Sequence, residues 1–208
     1  MGNSKEELVI LIDRYFSELM YAHATFETYY LLKFGPKKFE KAYGISPAFF
    51  SLVRKSLFSE SVLTLCKFME GHKKGGRSRS DLNLNRFLEK LKNNKEVFKG
   101  LKHDEDIELV ASYDKYQVQI SNYVDLINNL LYWRDKMIAH FDDVLMDDSI
   151  SEVKVSAEDI RELIDFIGDL LNFYIYKIER GKIVSYKYTN FDDVNKLINF
   201  VARHNISS

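Results

Sequence analysis

Proline, cysteine and net charge are all scarce in this chain. Its 208 residues include two prolines, one cysteine and nine glycines. The prolines, Pro36 and Pro47, both fall between apolar segments of helical spacing, so no proline interrupts a periodic run. A lone cysteine excludes an intrachain disulfide. Cys66 lies inside an apolar helical stretch and reads as a reduced core residue of a cytoplasmic protein. Thirty basic residues face thirty-one acidic ones, which excludes a bulk polycation; any contact with nucleic acid must come from a local basic patch. No apolar run is long enough to cross a bilayer. The first residues show no signal-peptide core, and Glu6 breaks the myristoylation pattern, so no membrane attachment is expected. His23, His72, His103 and His204 have no metal-ligand spacing with each other or with Cys66. No phosphate-binding glycine loop sits between a strand and a helix. Neither a metal nor any other cofactor is therefore expected.

What is present is helical periodicity. Apolar residues make up 46% of the chain and aromatics 14%, enough for a core without disulfide or metal staples. Ser4 and Glu7 have the spacing of a capping box ahead of Leu8, Leu11, Tyr15, Leu19, Ala22 and Phe26. Gly35-Pro36 ends that helix, and Ser46-Pro47 opens a second one running to Gly71. A glycine-rich basic loop follows, with Lys73, Lys74, Arg77 and Arg79. A short helix is expected over 84–93, and a short helix or irregular connection over 92–106. The longest helix is expected over 114–141. Ser156 to Asp159 starts another, with Val155 and Ile160 spaced as a hydrophobic staple, and Gly181 follows its end. Val184, Tyr186 and Tyr188 alternate with polar residues, but a strand lacking a partner reads as an extended connection. A last short helix is expected over 192–204. The pattern predicts one all-α domain over residues 1–208, an up-and-down helical bundle with extra short helices.

One stretch suggests chemistry: Arg134-Asp135-Lys136-Met137-Ile138-Ala139-His140-Phe141-Asp142. On a helical wheel Arg134 shares the apolar line of Ile120, Ile127 and Ile138, while His140 falls at its edge and Asp135 on the opposite side. A guanidinium aimed into an apolar face is costly unless it is paired or lines a cleft. Arg134 and His140 lie six residues apart, about 9 Å along a straight helix and about 120° around it. They converge if the arginine arm swings over, the helix frays, or a second subunit completes the site. Histidine suits proton transfer near neutrality, and arginine suits bidentate phosphate contact. The pair also has plainer readings. The histidine could be a packed or surface residue, and the arginine could pair with Asp13, Glu162 or Asp165 of a neighbouring helix. Trp133 could stack on a base or pack between helices.

The Arg134–His140 string resembles the signature of HEPN domains, and in particular the AbiU-type abortive-infection branch. The stretch from Val62 to Glu70, the stretch from Leu82 to Leu91, and the segment from Val155 to Ile160 are similar to further helices of that branch. The resemblance implies a HEPN-like bundle and a metal-independent endoribonuclease acting in phage defence. It implies that Arg134 contacts the scissile phosphate, that His140 moves protons, and that Asp135 occupies the polar position after the arginine. The basic loop residues Lys73, Lys74, Arg77 and Arg79, with Lys136, are candidates to hold RNA. The expected partners are RNA, a second copy meeting through the C-terminal half of the 114–141 helix, and an antitoxin or other defence protein. The alternative is a non-catalytic helical module that binds a protein partner or a nucleotide.

Overall fold

A computed structural model describes residues 5–35, 38–69, 82–98, 103–139, 155–187 and 190–204. They form eight α-helices and one short 3-10 turn, with no strand among them. The helices are α1 (Lys5–Phe34), α2 (Lys38–Ile45), α3 (Pro47–Met69), α4 (Leu84–Asn93), α5 (His103–Asn122), α6 (Val124–Ala139), α7 (Ala157–Ile178) and α8 (Asp192–His204). The fold is an all-α, HEPN-like bundle. Ser4 and its proposed cap lie outside the described residues.

Two expectations about the helices need correction. The segment 38–45, which falls between the first two expected helices, is a helix of its own. The expected long helix over 114–141 is two. α5 begins at His103, and the chain breaks at Tyr123, whose amide donates to Ile120 three residues back rather than four. The α-pattern resumes at once, as the Ile127 amide donates to the Tyr123 carbonyl. No proline or glycine marks the break. Tyr123 instead turns its ring onto Phe166 of α7, with centroids 5.0 Å apart. Ile120 and Ile127, on either side of the break, are both buried.

Other ends follow their sequence signals. Ser156 caps α7 in a complete capping box with Asp159. Asn83 caps α4 by accepting from the Arg86 amide, and its carbonyl accepts the buried Tyr15 hydroxyl. At the end of α7 the left-handed residue is Arg180, with φ 49°, followed by Gly181 with φ 105°. The Gly181 amide donates to the Tyr176 carbonyl and closes the helix.

α1 and α7 pack side by side in the main core, with α3, α4, α5 and α6 around them. Leu8, Ile12, Leu19, Val62, Leu65, Leu163, Ile167 and Leu170 are fully buried there. Cys66 is buried in the same core. A second, smaller cluster of Leu32, Ala42, Phe50 and Ile198 joins α2 and α8 to the ends of α1 and α3.

The 182–187 segment is neither helix nor strand, and Tyr188 lies outside the described residues. α7 holds it in place of a partner strand. Asn172 both donates to the Val184 carbonyl and accepts from its amide, at 3.1 and 2.8 Å. Tyr186 lies flat over Gly168, and its hydroxyl donates to Asp165 at 3.1 Å. The close approach requires glycine, because a Cβ at 168 would run into the Tyr186 ring. Gly168→Ala should therefore cost about 1–3 kcal/mol in urea denaturation, and much less in a Tyr186→Ala background. Equal costs in both backgrounds would refute the contact.

Buried phenols give the core a pH limit. Burial, helped by Asp169 and Glu108, pushes the Tyr116 phenol up to about 12, and burial moves Tyr174 and Tyr186 the same way. In the unfolded chain these groups ionise near pH 10. The unfolded state thus loses protons first, and stability should fall as pH rises from about 10 to about 12. Tyr116 alone should account for about 2–3 kcal/mol of that fall. Denaturation at pH 8 and pH 11 should show the loss, and Tyr116→Phe should reduce it.

Candidate functional site

α6 carries the candidate site at its C-terminal end. Ile127, Leu130 and Leu131 are buried and fix the rotation of the helix. Trp133 then meets Phe58 of α3, with ring centroids 5.1 Å apart, and Phe58 meets Tyr29 of α1 at 4.8 Å. This aromatic ladder ties three helices together. Trp133 packs between helices, the plainer of its two readings. Its indole Nε1 is buried and has no hydrogen-bond acceptor among the described residues.

Arg134 follows directly. Its side chain is 23% exposed, at the margin between core and solvent. Its Nε and Nη2 both donate to Oδ1 of Asp135, at 3.0 and 2.9 Å. Asp135 does face outward, as the wheel predicts, with its side chain 60% exposed. The wheel missed the pairing. Consecutive residues on a helix point about 100° apart, yet the arginine arm is long enough to turn its guanidinium along the helix surface to the next residue. The apolar stem lies toward the core and the charged end is drawn outward. Of the neighbouring acids considered as partners, Asp13 is engaged by Lys182, and Asp165 by Lys187 and Tyr186.

The pair has a chemical consequence. A phosphate would bind the same kind of donor edge that Asp135 now occupies. Asp135 thus presents the guanidinium at the surface and competes for it. Lys136 continues α6 in its backbone, with its side chain outside the described residues. His140 also lies outside them, as do Lys73, Lys74, Arg77 and Arg79. Among the described residues, no three His, Cys, Asp or Glu side chains group as metal ligands, and no helix is long and apolar enough to cross a membrane.

The sequence reading missed a second polar cluster, where α1 meets α7. Arg161 donates from Nε and Nη2 to the two oxygens of Glu27, at 2.6 and 3.0 Å. Its guanidinium lies 4.4 Å from the Tyr30 ring centroid. Glu27 and Arg161 stand 134 residues apart, so nothing local betrays the contact. His23 sits nearby, and burial holds its imidazole below the usual value, partly opposed by Glu27. Here both arginine donors and both carboxylate oxygens are used, which makes a structural clamp.

A family model described as AbiU2, of the HEPN group, matches residues 5–197. No curated protein and no solved structure matches the chain.

The two features at the end of α6 should separate in stability measurements. Trp133→Ala should cost several kcal/mol, because it opens the ladder to Phe58 and Tyr29. Arg134→Ala should stay within about 1 kcal/mol of the parent, as expected of a partly exposed pair. A large loss on removing Arg134 would assign it to the fold.

Proposed function

Because the chain belongs to the AbiU2 family of HEPN domains, we propose that it is a metal-independent endoribonuclease of the phage-defence type, acting through Arg134, Asp135 and His140. The observation that favours this reading is the Arg134–Asp135 pair, which turns a guanidinium outward at the end of a helix anchored by Trp133. An arginine kept for folding alone is better served by a clamp such as Arg161 makes with Glu27.

The substrate supplies its own nucleophile. The 2′-oxygen of a ribose attacks the adjacent phosphorus as its proton passes to a base. A new bond forms between the 2′-oxygen and phosphorus, and the bond to the 5′-oxygen breaks. The departing 5′-oxygen takes up a proton. His140 serves these proton transfers, either singly by giving back the proton it accepts or with the histidine of a second copy. Arg134 binds the non-bridging phosphate oxygens and stabilises the charge that grows on them. Asp135 holds the guanidinium at the surface until a phosphate takes over that edge. Lys73, Lys74, Arg77, Arg79 and Lys136 would hold flanking phosphates, and such contacts weaken as salt rises.

Arg134→Ala and His140→Ala should each abolish RNA cleavage, with far-ultraviolet circular dichroism unchanged. Cleavage at the parental rate by both purified variants would reject the site. Asp135→Asn should retain cleavage and alter KM more than kcat, since it changes competition for the guanidinium rather than the chemistry. Cleavage should also persist in EDTA and leave 2′,3′-cyclic phosphate or 3′-phosphate ends. Products with 3′-hydroxyl ends would refute attack by the 2′-oxygen.

A further inference from the structure

The aromatic ladder that anchors α6 does not stop at α1. Phe58 of α3 meets Trp133 on one side and Tyr29 of α1 on the other. One turn beyond Tyr29, Lys33 donates to its hydroxyl at 2.9 Å. The Lys33 ammonium lies 5.5 Å from the Tyr29 ring and 5.1 Å from the Phe34 ring. Tyr30 supports Phe34, with centroids 4.9 Å apart, and Phe34 is 61% exposed. Aromatic rings, joined at one point by a lysine, thus lead from the residue beside Arg134 across α3 to the end of α1.

The charge along this run is of one sign. Segments 28–34 and 47–59 contain no acidic residue. Lys33 is exposed, and Lys55, one turn before Phe58 on the same side of α3, is half-buried. Neither lysine meets a carboxylate among the described residues. Of the acids that border the run, Glu27 is clamped by Arg161 and Asp135 meets Arg134. α1 and α3 run antiparallel, since Tyr15 meets Phe68 where Tyr29 meets Phe58. One turn forward from Tyr29 and one turn back from Phe58 are therefore the same level, which sets Lys33 and Lys55 on neighbouring helices at equal height. Lys33 stands in the last turn of α1, where a cation also answers the carbonyl end of the helix. Lys55 stands inside α3, where no helix end calls for its charge.

We infer that this run is the track on which a single-stranded RNA lies as it leaves Arg134, with phosphates on Lys33 and Lys55 and a base stacked on Phe34. The inference rests on the cleavage site proposed above and extends it to residues of α1 and α3. Flat rings interspersed with cations suit a chain in which bases alternate with phosphates. A duplex keeps its base faces stacked inside and offers Phe34 no partner. An acidic peptide would satisfy the lysines but has no need of a flat exposed ring.

Fluorescence anisotropy with a 2′-O-methyl single strand, which lacks the nucleophile and cannot be cut, measures binding apart from cleavage. The parent should bind this strand more tightly than a duplex of the same sequence. Lys33→Gln and Lys55→Gln should each reduce the slope of log K against log salt by about 0.7, the value of one phosphate contact on a single strand. Lys33→Arg and Lys55→Arg should keep the parental slope. Phe34→Leu should weaken binding about tenfold with the slope unchanged, and Phe34→Tyr should restore it. An apolar packing role for Phe34 would be met by leucine. Lys5→Gln, near the opposite end of α1, should change neither quantity. Parental slopes in both glutamine variants, with circular dichroism unchanged, would overturn the track, and would leave the cleavage site standing if the parent still cuts RNA. Binding no tighter to the strand than to the duplex would also overturn it. So would full displacement of the strand by polyglutamate at equal charge, which marks a site for acidic peptides. A parent that binds with the expected dependences yet leaves unmodified RNA intact would support the track and reject the cleavage reading.

Discussion

The main core depends on two buried tyrosines, Tyr174 and Tyr15, whose hydroxyls are each hydrogen-bonded across helices. Tyr174 of α7 is fully buried, and its ring touches Phe87 of α4 and Tyr113 and Tyr116 of α5. Its hydroxyl meets Ser112 at 3.0 Å. Tyr15 of α1 does the same for α3 and α4, contacting Phe68 and Phe87 and donating to the Asn83 carbonyl. An unpaired buried hydroxyl would cost on the order of 1–3 kcal/mol. Each of these bonds therefore fixes the depth and register at which two helices meet, which a purely aliphatic contact would leave freer to slide. The bond from Tyr15 lands on the residue that caps α4, so the start of a short helix is set by the long helix beside it.

The helical class was legible because the apolar spacing is clear and the prolines mark boundaries. α4 and α8 lie where their periodicity predicts, and Ser156 caps α7 as its sequence suggests. The sequence was misleading wherever a distant side chain decides the outcome. Nothing near Tyr123 is a helix breaker, and the break accompanies a contact with Phe166, 43 residues away. The placement of 182–187 depends on Asn172, Gly168 and Asp165, three polar or small positions on a helix already explained by its apolar residues. α2 has only eight residues, too short a run to stand out from a loop.

The candidate site was legible in part, for a related reason. The string from Arg134 to Asp142 pointed to the family, and the wheel placed Asp135 outside the apolar face, where it is, but Arg134 within that face, whereas its side chain is 23% exposed. A wheel locates Cβ atoms, however, and the functional end of an arginine lies several bonds further on. The pairing of neighbours through one carboxylate oxygen is invisible to a method that treats side chains as directions. The Glu27–Arg161 clamp was invisible for the opposite reason, since its geometry is ordinary but its partners are remote in sequence.

Comparing the two arginines shows how one side chain type serves two ends. Arg161 is fixed at three points: two carboxylate oxygens and the face of Tyr30. Disturbing it would break several contacts between α1 and α7 at once. The pair that Arg134 makes with Asp135 runs through one oxygen of a carboxylate that is itself mostly solvated. Water screens such a pair, so exchanging that oxygen for one on an incoming anion changes the local energy little. The rigidity needed nearby comes from Trp133, whose packing on Phe58 and Tyr29 holds the helix without involving the guanidinium. Position is thus set by apolar contacts, while the contact with Asp135 is a weak polar one. That division lets a cation remain in place on the protein while its partner remains replaceable.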